Sequence, residues 1–321
     1  MRILCANKQV DCDEGLYWGL RQLGYEVKVC ELWWLPREKA AYTWQQAWIE
    51  FRPDLVFVSG YWLGRLNPDD LGPPRQWKSV PLVYWAYDDP IFTNLLSLPI
   101  IPKAALILTP AEECLRIYKR HGVRAGVLVF GCSPELQRRV RPVERHQFVL
   151  VAHNYSTGWT SPFRLRSMKS ILLPLVEAGY DLKVWGGWWT DEKALYRLPP
   201  QICAGNLAHD RLAEIYAGAS IVLGLQFHSL SRTQTSSRVF ETLACGAFYL
   251  GPDTIGTRTY FQPGKHLALS ASPEETLSLA RYYLDHPLER DRVAACGQLE
   301  VYSKHTYLHR AREFLAEVER L

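Results

Sequence analysis

The 321-residue sequence lacks the usual marks of a secreted, membrane-spanning or zinc-binding protein. Its eight cysteines include no Cys-x-x-Cys pair, and most lie in apolar runs, where a free thiol packs as a small hydrophobe. We therefore expect neither a structural zinc site nor a disulfide framework. No apolar stretch has the length that crosses a bilayer, and the first residues, MRILCANKQ, contain no signal-peptide core. These features predict a protein of the reducing cytoplasm.

Concentrated positive charge is also missing. The formal net charge is +4, from 37 Lys and Arg against 33 Asp and Glu, and the arginines are scattered along the chain. This distribution argues against a nucleic-acid partner but suits anionic ligands such as nucleotides. Short repeats and low-complexity segments are absent as well. With 48% hydrophobic and 22% charged residues, the chain is long enough for two globular domains.

Strand-like and helix-like runs alternate along the chain and predict an α/β protein. Continuous apolar runs such as DLVFVSG and PLVYWAYDD indicate parallel sheets with helices on both faces. The charged segment QRRVRPVERHQ, with Pro142 at its centre, interrupts this pattern and predicts a linker. We predict a Rossmann-like amino-terminal domain over residues 1–143 and a Rossmann-like carboxy-terminal domain over 144–303. A last helix, 304–321, could pack back on the first domain.

In open parallel sheets, ligands bind beyond the carboxyl ends of the strands. In the second domain these positions include His153, Asn154 and Gly186. His153 and Asn154 could bind a phosphate or shape a turn, and we favour the ligand-binding interpretation. In the first domain, Asp88 and Asp89 directly follow the apolar strand PLVYWAY. An acidic residue at this place can act as a general base. Alternatively, one of the two caps the helix that begins near the following proline.

The stretch SSRVFETLACG carries two charged residues near the start of an otherwise apolar helix. Ser236 and Ser237 are N-cap residue types, and Gly246 has the position of a helix-terminating glycine. Ser237, Arg238 and Glu241 share one helical face near the amino terminus, where free N–H groups attract phosphate. The arginine suits phosphate oxygens, and Glu241 suits the vicinal hydroxyls of a ribose. The pattern predicts a nucleoside diphosphate ligand; the alternative is an intrahelical ion pair on a solvated face.

The run RVFETLACGAFYLGPDTIG, with the helix that follows it, resembles the carboxy-terminal half of GT-B glycosyltransferases. It is most similar to the CgeB-like spore-maturation glycosyltransferases. The segments YWAYDDP, FGCSPELQRRVRP and HNYSTGWTSPFRLRSMKS are similar to further parts of that family. The resemblance covers most of the chain from about Pro81 and is strong from Arg238 to Arg290. It implies a GT-B fold, in which two Rossmann-like domains face each other across a cleft.

The resemblance also implies roles for individual residues. Glu241 would hold the ribose of a nucleotide-sugar donor, and Arg238 would face its diphosphate. Arg164, early in the first helix of the second domain, takes the place of a basic phosphate ligand. Asn206 and Leu207 lie where backbone groups of related enzymes bind the base.

Two positions depart from the family pattern. Thr233 stands eight residues before Glu241, where many retaining GT-B enzymes have an acidic residue. His153 stands where relatives often have glycine. The contacts to the sugar hydroxyls and the stereochemical course are therefore left open.

The combined prediction is a metal-independent glycosyltransferase of the hexosyltransferase type, EC 2.4. It would move a sugar from a nucleotide-diphosphate donor to a hydroxyl of a glycan, protein or small-molecule acceptor, with no cofactor and no transmembrane segment. Asp88 is the first candidate for the general base, followed by Asp89 and Asp13.

Three alternatives stay open. Asp11 and Asp13 spell a DxD motif, which holds a divalent metal in GT-A enzymes, although here we expect a polar loop in which Asp13 contacts an acceptor. A sugar-nucleotide epimerase of the same fold would also bind a nucleotide sugar. A two-lobed protein that binds the nucleotide sugar without turnover is the non-catalytic alternative.

Overall fold

Two parallel sheets organise the chain, which a computed structural model describes over residues 1–6, 11–32, 34–59, 79–157 and 160–321. Of residues 11–13 and 157, only the backbone is described. The chain divides into two units: the first comprises residues 1–130, 231–234 and 307–321, and the second comprises 131–230 and 235–306. The chain therefore enters the second unit at 131 and leaves it finally at 306, where the sequence predicted 144 and 303.

The sheet of the first unit has six parallel strands in the order β2-β1-β3-β4-β5-β6. The strands are β1 (Arg2–Ala6), β2 (Glu26–Cys30), β3 (Leu55–Ser59), β4 (Leu82–Trp85), β5 (Leu106–Thr109) and β6 (Arg124–Val127). The order changes direction between β1 and β3, as in doubly wound sheets.

The sheet of the second unit repeats this arrangement with five parallel strands, in the order β11-β10-β9-β7-β8. The strands are β7 (His146–Val151), β8 (Leu182–Trp185), β9 (Ala219–Leu223), β10 (Tyr249–Pro252) and β11 (Ala268–Ser270). The direction changes between β7 and β9, and a switch point of this kind is where open α/β sheets bind ligands.

Helices connect the strands on both faces of the sheets. The helices are α1 (Tyr17–Gln22), α2 (Arg37–Phe51), α3 (Leu115–Arg120), α4 (Pro162–Ser167), α5 (Leu173–Glu177), α6 (Leu212–Ala217), α7 (Ser237–Ala244), α8 (Ile255–Tyr260), α9 (Pro273–Asp285), α10 (Pro287–Lys304) and α11 (Tyr307–Val318). A π-helical segment, Met168–Leu172, joins α4 to α5, and α11 returns to the first unit, where Phe314 packs edge-on against Phe57 of β3. No helix among the described residues is both long and apolar enough to cross a membrane.

The second sheet is buried on both faces, which explains why its strands are continuous apolar runs. Along β7, Phe148 and Leu150 pack into a core that includes Met168 and Leu172. The alternate residues of the same strand pack on the opposite face, against α6. The cysteines whose side chains are described all carry free thiols.

Candidate functional site

Helix α7 starts at the carboxyl end of β9 and is capped as the sequence predicts. The Ser236 hydroxyl accepts a hydrogen bond from the Arg238 backbone N–H at 3.3 Å. The Ser236 N–H in turn donates to Gln226 Oε1 at 2.9 Å, and Gln226 Nε2 donates to Thr235 Oγ1 at 3.1 Å. These bonds fasten the end of the connecting loop to the start of the helix. They fix the direction in which the free N–H groups of α7 point.

Arg238 and Glu241 form an ion pair, and Glu241 is buried rather than solvated. Its side chain is 3% exposed, against 35% for Arg238. Arg238 donates to Glu241 Oε2, and His209 Nε2 lies 3.2 Å from Glu241 Oε1. Burial raises the pKa of the Glu241 carboxyl, but the Arg238 charge and the His209 hydrogen bond together lower it below its ordinary value. The carboxylate therefore stays ionised inside the protein.

The sequence assigned no role to His209. It lies in the stretch that follows β8, three residues after Asn206, at the edge where the ligand was expected. That position was the only sequence signal for it, because its partner Glu241 is 32 residues further along the chain.

Arg164 of α4 is buried beside the same edge of the sheet. One of its terminal nitrogens donates to the His153 carbonyl at 2.9 Å, and the guanidinium lies 5.0 Å from the Phe227 ring centroid. Burial lowers the pKa of Arg164 to about 10. Its Nε is buried and has no hydrogen-bond partner among the described groups. Leaving a buried donor unpaired is costly, so the group is suited to a ligand that would pair with it.

Two neighbouring cavities lie beyond the carboxyl ends of β7 and β9. Their volumes are about 170 Å³ and about 190 Å³, and His153 and Arg238 line both of them. The structure gathers around them seven of the nine residues predicted to bind the donor: Arg164, Ser237, Arg238, His153, Gly186, Asn206 and Leu207.

A larger cavity, of about 620 Å³, lies at the opposite edge of the same sheet. Arg139, Arg145, His146 and Arg290 are among the residues that line it, together with the first residues of β9. None of the predicted site residues is among them. Because parallel sheets bind their ligands at the carboxyl ends of the strands, we place the functional site at the two smaller cavities.

Gly186 follows β8 and has a backbone conformation that no other residue adopts easily, with φ of +133°. A Cβ at this position would lie 2.0 Å from the Ala152 carbonyl oxygen. The Gly186 N–H donates to the Gly205 carbonyl at 2.7 Å. The glycine thus lets the end of β8 lie close both to the end of β7 and to the loop that leads to Asn206.

His153 belongs to an aromatic cluster at the rim of these cavities. Its Nδ1 accepts a hydrogen bond from the Gly187 N–H at 2.9 Å, and its ring lies 5.1 Å from the half-exposed Trp188 and 5.9 Å from Tyr155. Burial, and then the charges of Arg238 and Arg164, lower the pKa of His153. The neutral imidazole therefore acts as an acceptor here, consistent with its bond to Gly187.

Asn154 is buried, and its side-chain amide is used within its own loop. Nδ2 donates to the Tyr196 carbonyl at 2.7 Å, and Oδ1 accepts from the N–H and the hydroxyl of Ser156. These contacts favour the turn-shaping alternative for Asn154 over direct contact with a phosphate.

Asp88 and Asp89, in the first unit, occupy different environments after β4. Asp89 is 1% exposed, and its carboxylate accepts hydrogen bonds from four hydroxyls, those of Thr93, Ser97, Thr109 and Tyr118. Asp88 is half-buried, and no described group hydrogen-bonds to its carboxylate. Burial, and then the neighbouring Asp89 charge, raise the pKa of Asp88 to about 7. Asp88 thus has the raised pKa expected of a base that works near neutral pH, whereas the Asp89 carboxylate is held by the surrounding hydroxyls.

Thr233, one of the two departures from the family pattern, lies in the short segment of the first unit between β9 and α7. Its hydroxyl donates to the Pro110 carbonyl at 2.6 Å and accepts from the Glu112 N–H at 2.9 Å. A carboxylate could accept the second bond but could not donate the first. The threonine is therefore explained by packing within the first unit.

The predicted acceptor residue Asp13 has a side chain outside the described residues, as has Asp11. Among the residues that are described, no group of three or more His, Cys, Asp or Glu side chains could hold a metal ion.

Solved structures share this architecture over the full chain. HepE (Alr3699) of Anabaena, in complex with UDP, superposes with a TM-score of 0.63 at 13% identity, covering 100% of both chains. Sucrose-phosphate synthase from Thermosynechococcus elongatus gives a TM-score of 0.67 at 14% identity, covering 100% of this chain and 98% of the synthase. The chain has the GT-B fold. The fold predicted from the sequence is thereby confirmed.

Sequence comparison also relates this chain to glycosyltransferases. Residues 166–316 match the model of the glycosyl transferase-like family. Spore protein CgeB of Bacillus subtilis (strain 168) is 23% identical over an alignment 277 positions long, which covers 80% of this chain and 80% of CgeB. The resemblance to CgeB-like glycosyltransferases is confirmed. Most of the residues that match the family model lie in the unit that carries the candidate site.

Proposed function

We propose that this protein is a metal-independent glycosyltransferase that binds a nucleotide-diphosphate sugar in its second unit and transfers a hexose to an acceptor hydroxyl in the cytoplasm. The observation that carries this proposal is Arg164. Its buried Nε is unpaired among the described groups, and it lines one cavity together with Ser237 and Arg238. Two guanidinium groups and a helix amino terminus around one small cavity suit a diphosphate.

The remaining donor contacts follow from this position of the diphosphate. Arg238 lines both cavities, so the nucleoside would extend from the first cavity into the second, which Gly186, Asn206 and Leu207 line. Glu241, next to Arg238, would accept hydrogen bonds from the ribose hydroxyls. HepE shares the fold and binds UDP, and this supports UDP as the first nucleotide to test.

The chemistry requires stabilisation of the leaving group and, if configuration is inverted, a base. As the bond between the anomeric carbon and the phosphate oxygen breaks, negative charge grows on the nucleoside diphosphate. Arg164, Arg238 and the N–H groups of α7 would stabilise that charge. We assign the base role to Asp88, whose pKa of about 7 allows it to accept the acceptor's proton near neutral pH.

Calorimetry with UDP tests the donor site. Arg238→Ala removes a half-exposed side chain and should weaken UDP binding by about tenfold or more, since hydrogen bonds to charged groups contribute about 1.5–3 kcal/mol. Arg166→Ala is the matched control, because Arg166 is an exposed arginine of α4 that lines neither cavity, with its guanidinium 5.7 Å from the Phe163 ring centroid. Unchanged affinity in Arg238→Ala would move the diphosphate elsewhere.

Product analysis separates transfer from the epimerase alternative, a chemistry that the same fold also supports in UDP-N-acetylglucosamine 2-epimerases. A glycosyltransferase converts its donor productively only with an acceptor, whereas an epimerase needs the nucleotide sugar alone. Accumulation of an isomeric nucleotide sugar without acceptor would contradict the proposed transfer. Binding of nucleotide sugars without any turnover, across a panel of acceptors, would favour the non-catalytic alternative.

A further inference from the structure

The two oxygens of the Glu241 carboxylate have different partners. Arg238 donates to Oε2, and His209 Nε2 lies 3.2 Å from Oε1. Because an ionised carboxylate only accepts hydrogen bonds, Nε2 of His209 must carry the proton and donate it. Each oxygen thus accepts a hydrogen bond from the protein, and a ribose hydroxyl that takes the place of one of these donors leaves the other to hold the carboxylate.

The two partners differ in their freedom to move. Arg238 is a long side chain, 35% exposed, and it lines both cavities. His209 is 15% exposed and is held by the turn His209–Arg211, which leads into α6. Arg238 therefore has the length and the position to reach a diphosphate in these cavities, whereas His209 is anchored by its turn.

We infer that His209 is a positioning residue, which holds Glu241 Oε1 while Arg238 releases Oε2 to the ribose of the bound nucleotide. The inference rests on the donor site proposed above. Without His209, the buried carboxylate would lose its fixed partner at the moment when Arg238 leaves it. The carboxylate would then either rotate away from the ribose or keep its ion pair with Arg238, and either result weakens nucleotide binding.

A double-mutant cycle measured with UDP by calorimetry tests this role. His209→Ala should raise the Kd for UDP about tenfold, and Glu241→Gln should raise it at least as much. The double variant should bind UDP no more weakly than Glu241→Gln alone, because His209 acts through Glu241. If His209→Ala costs the same factor in the Glu241→Gln background, the residue acts independently of Glu241 and the inference is wrong.

Two further variants exclude a merely structural explanation. His209→Gln places an amide donor near the position of Nε2 and should restore the Kd for UDP to within about threefold of the parent. Arg211→Ala perturbs the same turn without touching Glu241, since Arg211 pairs with Glu214, and it should leave the Kd unchanged. Should His209→Ala fail to fold, His209→Asn takes its place, because the shorter amide does not reach Oε1. Equal loss in the Gln and Asn variants would overturn the positioning role.

Kinetics with the nucleotide sugar give an independent measurement. His209→Ala should raise KM for the donor about tenfold and leave kcat within about twofold, since the ribose contact is the same in ground and transition states. Arg238→Ala should lower kcat as well, because it also stabilises charge that develops on the leaving group. Failure is distinguishable at each level. If Glu241→Gln binds UDP as tightly as the parent protein, the proposed ribose site is wrong. If Glu241→Gln loses affinity for UDP but His209→Ala does not, only the role of His209 is refuted.

Discussion

At the scale of single residues, Asp88 and Asp89 show how neighbouring identical side chains acquire different environments. Adjacent residues point in different directions, so one carboxylate meets four hydroxyls and the other meets none among the described groups. The sequence identified the acidic pair at the end of a buried strand. It could not separate the two, because the four hydroxyls come from positions 4 to 29 residues away.

Asp89→Ala should lower the free energy of unfolding by about 3 kcal/mol or more. The substitution leaves Thr93, Ser97, Thr109 and Tyr118 without their common acceptor, and each unpaired buried hydroxyl costs about 1–3 kcal/mol. Urea denaturation measures the change. Asp88→Ala is the control and should not lower the free energy of unfolding; a similar loss in both variants would show that the hydroxyl cluster is not specific to Asp89.

Asp88→Asn should reduce turnover by about 10²–10⁴-fold, the usual contribution of a general base. In the parent protein, kcat/KM should fall as pH drops below about 7, since burial and the Asp89 charge raise the pKa of Asp88 to that value. A pH–rate profile with and without the substitution measures both effects. Near-normal turnover in Asp88→Asn would move the search to Asp13, or to a retaining mechanism that needs no protein base.

The same raised pKa predicts a pH-dependent effect of Asp88 on stability. Between its ordinary value of 3.8 and about 7, the folded protein keeps a proton that the unfolded chain has lost. The group therefore favours the unfolded state increasingly as pH rises through this range. Asp88→Asn should raise Tm relative to the parent at pH 8 and leave it unchanged near pH 4. A difference in Tm that is constant from pH 4 to pH 8 would contradict the raised pKa.

At the scale of elements, local signals predicted more than contacts between distant segments. The apolar runs DLVFVSG and PLVYWAYDD both contain strands, and the serine cap and terminating glycine of α7 lie where the sequence placed them. Such features depend on residues a few positions apart. The His209–Glu241 contact and the packing of Thr233 depend on tertiary structure, so the sequence could not give them. The first helix of the second domain, where the sequence placed Arg164, ends at Ser167 and continues as a π-helical segment, Met168–Leu172, for which we have no sequence signal.

Gly246→Ala should lower the free energy of unfolding by more than the cost of placing alanine at a positive φ. Gly246 has φ of +67°, and a Cβ there would lie 2.3 Å from Arg139 Nε, so the arginine side chain must move. Gly264→Ala is the matched control, with φ of +77° and no atom within 4 Å of the added Cβ. The control should cost about 1–2 kcal/mol from backbone strain, and Gly246→Ala should cost more. If the two variants lose the same amount of stability in thermal or urea unfolding, the Arg139 side chain moves aside without a measurable cost.

At the scale of the whole molecule, the five strands of the second sheet have the same order as the first five strands of the first sheet, yet the candidate donor site lies on the second sheet alone. A nucleotide that binds only the folded protein stabilises it by mass action, by about 2.7 kcal/mol at one hundred times Kd. UDP at that concentration should therefore raise Tm by roughly 5 °C. We expect the same shift, and the same transferase activity, in the presence of EDTA. Loss of either with EDTA, restored by Mg²⁺ or Mn²⁺, would contradict metal independence and direct attention to Asp11 and Asp13.

The division of the chain has a practical consequence for exchanging donor specificity between relatives. The second unit is built from two stretches, 131–230 and 235–306, and the four residues between them belong to the first unit. A recombinant that receives the donor half of a relative as one continuous block also receives that relative's residues 231–234, including the position of Thr233. Those residues would then meet Pro110 and Glu112 of a foreign partner. A chimera with two separate grafts, which keeps the recipient's own 231–234, should express and fold better than a chimera with a single crossover.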